Sequence, residues 1–125
     1  MYLVYILQAD NLSYIGMTNN FERRWKQHNQ LLQGGAKYTK KKNNWSPICI
    51  IDGFQTKQEA MQCEWRLKRA KGYMKRIQYV SDLCSSSNQR WTKQSPLIKE
   101  QSLRIYVLQK YKNLFSFPIY ELEWY

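Results

Sequence analysis

The stretch YLVYILQ-ADN-LSYIGM, residues 2–17, constrains the fold more than any other part of this 125-residue chain. Its first seven residues are β-branched, aromatic or aliphatic, and seven residues are too few for a helix that must bury itself. Ala9-Asp10-Asn11 supplies turn residues, and Ser13-Tyr14-Ile15-Gly16-Met17 reads as the returning strand.

The expected elements follow in order. Asn20 caps a helix over 21–32, on which Phe21, Trp25 and Leu32 form an apolar stripe. Residues 33–44, a glycine-basic-polar stretch, read as a loop, and 47–54 (PICIIDGF) as a third strand. Thr56 and Glu59 fit a capping box opening a helix that runs to about Ala70. A further short helix is expected over 72–83 and a polar loop over 84–96. Ser95-Pro96 can start another helix over 97–112, burying Leu97, Leu103, Val107 and Tyr111. The ending, PIYELEWY, alternates with a period of two and suggests an edge strand. No internal repeat and no membrane segment is apparent. The N-terminus has neither a basic region nor a cleavage site, so no secretory signal is expected.

Twenty Lys and Arg against nine acids give a formal charge of +11. A small domain this basic points to a polyanion, nucleic acid first. Residues 1–80 hold 14 bases and 5 acids, a net +9, while residues 81–125 carry only +2. The polyanion surface is accordingly expected on the first two-thirds. Cys49, Cys63 and Cys84 are odd in number and widely spaced, which argues against a disulfide framework or a zinc site and for free thiols in a reducing compartment. His28 is the single histidine, so any metal must be a hard ion held by carboxylate, backbone oxygen and water, such as magnesium.

Several residues could carry chemistry, and each has a structural reading beside the functional one. Glu64 falls among Ala60, Met61, Leu67 and Lys68 on a helix face, a carboxylate in an apolar stripe. A buried charge needs a partner. Either it forms a structural ion pair, for instance with Arg24, or it is a magnesium ligand facing a cleft. Arg24 and His28, four apart at the border of the first helix's stripe, are a solvated basic face or a phosphate-binding guanidinium beside a proton-relaying imidazole. Tyr5 and Tyr14 on adjacent strands are sheet packing, or phenols whose pKa, ordinarily about 10, is lowered by a cation and a metal. Gly16 permits close backbone approach at the strand end. Lys37-Tyr38-Thr39-Lys40-Lys41-Lys42 interleaves aromatic and basic groups. The charge balance favours a phosphate-tracking contact there over a merely solvated loop.

Together these residues resemble the GIY-YIG nuclease superfamily. Leu3-Val4-Tyr5 stands where the first triplet would be, lacking its glycine, and Tyr14-Ile15-Gly16 matches the second. Arg24, eight residues after Gly16, takes the place of the family's arginine. His28 and Glu64 match its helix histidine and metal-binding glutamate. Within the superfamily, QHN…GGAKYTKKKNNW…IDGF…CEW looks like the Slx-type catalytic subunit of a structure-specific endonuclease, and LRIYVLQKYKNLFSFPIYELEW is similar to the end of that subunit's nuclease domain. Small bacterial stand-alone members share the first 70 residues.

The resemblance implies an α+β fold, a small antiparallel sheet of mixed strand order flanked by helices. It implies a single nuclease domain over 1–125, with 1–80 as catalytic core and 81–125 as helix plus closing edge strand. It also implies an endonuclease cutting branched DNA (flaps, forks, Holliday junctions) in repair, recombination or genome resolution. Glu64 would hold one Mg2+ or Mn2+ ion, Arg24 would neutralise developing charge, Tyr5 assisted by His28 would handle the attacking water, and Tyr14 would position phosphate or water. Arg23, Lys37, Tyr38, Lys40, Lys41, Lys42, Arg66 and Lys68 are the expected nucleic-acid contacts. A nuclear or other DNA-replicating compartment is expected. A scaffold protein is the implied partner, although the 125 residues lack the cysteines of the zinc RING that docks it. Two other readings stay open: a branched-DNA-binding module without catalysis, and a subunit active only with a partner. The second would expose apolar surface at Trp124, Tyr125 or segment 113–118.

Overall fold

The computed structural model describes residues 1–124; the surface expectation for Tyr125 lies outside the described residues. The N-terminal hairpin is formed by β1 (Tyr2–Ala9) and β2 (Leu12–Thr18). Their register pairs Ala9 with Leu12 across a two-residue turn in which Asp10 takes a left-handed φ of 55°. Asp tolerates that conformation because its short polar side chain bonds locally. β3 (Ser46–Phe54) pairs antiparallel on the other side of β1, β4 (Arg104–Val107) antiparallel on β3, and β5 (Tyr120–Glu121) parallel on β4. The order is β2-β1-β3-β4-β5.

Alternation along β1 divides the interior into two layers. Val4 and Ile6 face a cluster with Ile51, Phe54, Leu67, Ile77 and Trp91, the side covered by α2 (Lys57–Leu67) and α3 (Tyr73–Cys84). Tyr5, Leu7 and Ala9 face Trp45, Phe21 and Trp25, the side covered by α1 (Phe21–His28). The α+β expectation is met: the sheet is antiparallel from β2 to β4, and the closing β4–β5 pair is parallel.

The helix caps follow the sequence reading. Asn20 accepts from the Arg23 amide at 3.2 Å, and Thr56 Oγ1 accepts from the Glu59 amide at 3.1 Å, which forms the threonine half of the expected box. Where α1 ends is a correction. It stops at His28 instead of continuing to 32, because Asn29 turns aside to bind Trp45, donating to its carbonyl at 3.0 Å and accepting from its amide at 2.6 Å. Gln30 then adopts φ 60°, and Leu32, expected on the apolar stripe, is 46% exposed. The second helix likewise ends at Leu67, short of Ala70.

The larger correction concerns 97–112, which is not an α-helix. It forms a 3-10 turn at Ile98–Gln101, strand β4, and a second 3-10 turn at Gln109–Leu114. Ser102 at φ 52° breaks the helical path, and the β-branched and aromatic run Ile105-Tyr106-Val107 is captured by the free edge of β3, with Ile51 opposite Ile105 and Cys49 opposite Val107. Val107 and Tyr111 are buried as expected, whereas Leu97 and Leu103 are half-buried. The 113–118 segment is also not an open apolar surface: Leu114, Phe115 and Phe117 pack on the larger core cluster. The cysteines are free. Burial raises the thiols of Cys49 and Cys63 and pushes Cys84 up to about 12, so none is poised to react. No described helix is long and apolar enough to cross a membrane.

Candidate active site

Tyr5 and Gly16 face one another across the hairpin, and the phenol lies against the glycine. A Cβ built on Gly16 would stand 2.3 Å from Tyr5 Oη and 2.5 Å from Cζ, so no other residue fits opposite the ring. The group that approaches Gly16 is the Tyr5 side chain. Phe21 meets the other part of the ring edge-on, with centroids 5.3 Å apart.

Thus fixed, Tyr5 Oη lies 2.7 Å from His28 Nε2, and His28 Nδ1 lies 3.0 Å from Thr39 Oγ1. The hydroxyl of Thr39 donates to the Ala36 carbonyl at 2.8 Å. Its single proton is therefore spent, and toward His28 it can only accept. That assigns the neutral imidazole: Nδ1 carries the proton, Nε2 presents its lone pair, and Tyr5 donates to it. His28 and Thr39 are both 0% exposed, so the chain Tyr5–His28–Thr39–Ala36 is sealed from water along its inner end. Thr39 was passed over by sequence reasoning, which took KYTKKK as a surface loop. The segment is a 3-10 turn (Tyr38–Lys41) whose one buried residue is Thr39. A lone hydroxyl amid lysines was the available signal.

Burial pushes the His28 pKa down to about 4, and the Arg24 charge adds to this. Burial also raises both phenols. For Tyr5, Tyr14 and Glu64 push further up while Arg24 opposes; for Tyr14, Arg24 opposes and Glu64 adds. The charges of Arg24 and Glu64 are felt by both phenols. The five residues singled out from the sequence therefore form one electrostatically coupled group around the β1–β2 hairpin. The Tyr14 and His28 rings are 4.8 Å apart, completing the cluster.

Arg24 does not pair with Glu64. It donates at 2.8 Å to Gln27 Oε1 and at 2.8 Å to the Gly34 carbonyl, which hold the guanidinium beside the phenols without neutralising it. Gly35 is needed for the same loop, since a Cβ there would lie 2.3 Å from the Gln27 carbonyl oxygen. Among the described residues Glu64 has only Lys68 Nζ as a charged partner, at 3.8 Å, and its side chain is 23% exposed. That loose contact leaves most of its lone pairs uncommitted. One carboxylate with open lone pairs suits a hard, largely hydrated divalent ion that takes its remaining ligands from water and phosphate.

The expected nucleic-acid residues divide into groups. Arg23, Lys37, Tyr38, Lys40, Lys41 and Lys68 are exposed. Tyr38 stacks on Tyr14 with centroids 6.1 Å apart and carries Lys41 Nζ 4.4 Å above its ring, so the basic turn is continuous with the site. Lys42 instead pairs with Asp10 at 3.0 Å and fastens the turn to the hairpin. Arg66 is half-buried over the Tyr79 ring, 5.5 Å from its centroid. A groove of about 420 Å³ beside Tyr14 is lined by Tyr38, Lys68, Lys71 and Arg76, with no acid.

Residues 1–78, more than half of the chain and all five clustered side chains, match the GIY-YIG catalytic domain. The chain belongs to the GIY-YIG family. It is 40% identical over 68 residues to the structure-specific endonuclease subunit slx1 of Schizosaccharomyces japonicus, covering 51% of this chain and 25% of that protein. Identity to the corresponding subunit of Phaeosphaeria nodorum is 44% over 68 residues, covering 51% and 19%. A UPF0213 protein of Bacillus velezensis is 40% identical over 77 residues, 62% of this chain and 74% of that protein. The chain thus spans a quarter or less of the two endonuclease subunits' length. In GIY-YIG terms, Tyr14-Ile15-Gly16 is the second triplet, and Gly16 accommodates the tyrosine of the first.

Proposed function

We propose that this GIY-YIG chain is a divalent-metal-dependent endonuclease that hydrolyses phosphodiester bonds in branched DNA. The observation that carries the reading is the Tyr5–His28–Thr39 hydrogen-bond chain, set beside an unneutralised Arg24 and an open Glu64 carboxylate. A sheet-packing tyrosine needs no buried histidine with a fixed tautomer behind it. The names of the two subunits compared above, structure-specific endonucleases, support branched DNA as the substrate class. The net charge of +11 supports a polyanion.

In this reading Arg24 takes the scissile phosphate and offsets the charge that grows on it. Glu64 would hold one Mg2+ or Mn2+ ion, which would supply Lewis-acid polarisation of the phosphate. Tyr5 accepts a proton from the attacking water as its own proton moves to His28 Nε2, and Thr39 keeps that nitrogen free to receive it. The Arg24 charge is one of the two causes holding His28 low. A phosphate dianion or monoanion seated on Arg24 relieves that cause, so substrate raises the basicity of the relay. Tyr14 orients phosphate or water. The exposed bases on α1, the 38–41 turn and Lys68 track the backbone. Residues 1–125 act as one domain with 1–80 as its catalytic core, in a reducing, DNA-containing compartment, with a scaffold protein as partner in cells.

The test is cleavage of linear, flap, fork and four-way DNAs with magnesium by wild type, Arg24→Ala and Glu64→Gln. Both variants should lose about 100-fold or more in rate, as expected for removal of a transition-state stabiliser, while binding the junction nearly as well. Magnesium-dependent cleavage surviving in Glu64→Gln would remove the assigned role of that carboxylate. Tight junction binding by the wild type with no cleavage under any divalent ion would instead establish a binding module.

A further inference from the structure

Next to Glu64 on α2 stands Trp65, 55% exposed and the largest exposed aromatic among the described residues. It opens a second cleft, of about 570 Å³, on the other side of the helix end from the Tyr14 groove. Its walls are Trp65, Arg66, Arg69, Tyr79 and Lys93. Three features set it apart from a patch of surface. Each arginine is laid on an aromatic face, Arg69 5.0 Å from the Trp65 ring centroid and Arg66 5.5 Å from that of Tyr79. Among the described residues none of the three cations has an acidic partner, and no acid lines the cleft. Arg66 Nε is buried without a hydrogen-bond partner among the described residues.

We infer that this cleft binds single-stranded nucleic acid, with a base stacked on the open part of Trp65 and phosphates held by Arg66, Arg69 and Lys93. Aromatic platforms interleaved with unpaired cations are what an unpaired strand requires, since every base offers a π-face and every linkage a negative charge. A folded apolar partner would not favour three unpaired cations. A duplex would not expose a base face to Trp65. Lys68 and Lys71 line the Tyr14 groove, whereas Arg69, between them in sequence, lines this one. The corner from 68 to 72 is therefore a ridge between two basic grooves. A strand leaving the first groove unpaired needs only to cross that ridge to reach Trp65. This assignment rests on the nuclease reading only for its account of why an unpaired arm should be present, not for the binding itself.

The experiment is fluorescence anisotropy with a labelled oligo-dT of about 12 nucleotides, within the usual span of such sites, and with a blunt duplex of equal charge. Wild type, Trp65→Ala, Trp65→Phe and Arg69→Ala are compared at fixed salt, with circular dichroism confirming the fold. Trp65→Ala should weaken oligo-dT binding roughly 5- to 150-fold, the range for losing one stacked base, and leave duplex binding within about twofold. Trp65→Phe should retain most of the affinity, and Arg69→Ala should lower both affinity and salt sensitivity. Equal oligo-dT affinity in wild type and Trp65→Ala overturns the assignment, as does a wild type that does not bind oligo-dT. The outcome is independent of cleavage. Trp65-dependent binding by a chain without nuclease activity supports the cleft and refutes the nuclease, and cleavage with Trp65-independent binding does the reverse.

Discussion

Acid should unfold this protein through one imidazole. His28 is the single histidine, wholly buried, bonded at both nitrogens, and held neutral down to about pH 4, where a free imidazole ionises near 6.5. Above pH 6.5 both the folded and the unfolded chain carry the neutral ring, so His28 contributes no pH dependence. As pH falls from 6.5 toward 4, the unfolded chain takes up a proton that the folded one refuses, and stability is lost progressively. Each pH step in that window is worth up to about 1.4 kcal/mol, giving a loss of about 2 kcal/mol at pH 5 and about 3 kcal/mol once pH is below 4. Against a typical total of about 5–15 kcal/mol this is substantial. The assay is urea denaturation at pH 7.5 and pH 5.0 for wild type and His28→Gln, whose amide does not titrate. Carboxylate contributions cancel in the comparison. Wild type should lose about 2 kcal/mol more than the variant over that interval. Equal losses, or an NMR titration of the ring with a midpoint above 6, would refute both the buried neutral tautomer and the relay built on it.

Two further outcomes follow from the same geometry. Gly16→Ala should cost about 1–3 kcal/mol by overpacking and should abolish most activity, because its methyl displaces the Tyr5 hydroxyl from His28; thermal melts and cleavage rates measure the two effects. Thr39→Val strands the Nδ1–H of His28, while the Ala36 carbonyl keeps the Thr39 amide as donor, and should cost about 1–3 kcal/mol. Its rate should fall and the acid limb of the pH–rate profile should move, while Thr39→Ser restores both; an unaltered profile in Thr39→Val would remove Thr39 from the relay.

The first 80 residues were legible because each level of their sequence agrees. The hairpin strands alternate across two real layers, the helices begin after Asn20 and Thr56 as their caps require, and Tyr5, Tyr14, Arg24, His28 and Glu64 form one electrostatically coupled group. The tail was misread at 97–112 because spacings of four between Leu103, Val107 and Tyr111 suit a helix. The free edge of β3 and the left-handed Ser102 settle the matter, and neither is visible locally. Leu32 was misplaced for a similar reason: the helix before it is ended by Asn29 reaching Trp45, sixteen residues away. Of the cations that could pair with Glu64, Arg24, offered as an instance, is not the one. A neighbouring Lys68 takes it loosely, and Arg24 is kept for other work by Gln27 and the Gly34 carbonyl. Thr39 offered only its lone hydroxyl amid lysines, and its burial, which gives that hydroxyl its role, is set by the tertiary fold.

The last described aromatic, Trp124, meets Phe21 edge-on at 5.6 Å and Trp25 at 5.1 Å. Both belong to α1, the eight-residue helix that carries Arg24 and His28, and a helix that short is not stable alone in water. The strand that ends the sheet at one side thus reaches back to steady the helix that serves the opposite edge. Local opening of the final segment and of α1 should therefore be one cooperative event, with the amides of both protected from solvent exchange to a similar degree. The relay's geometry is then held by residues beyond the matched family region, and a core cut back to residue 80 would keep every reacting group while losing the brace that aligns them.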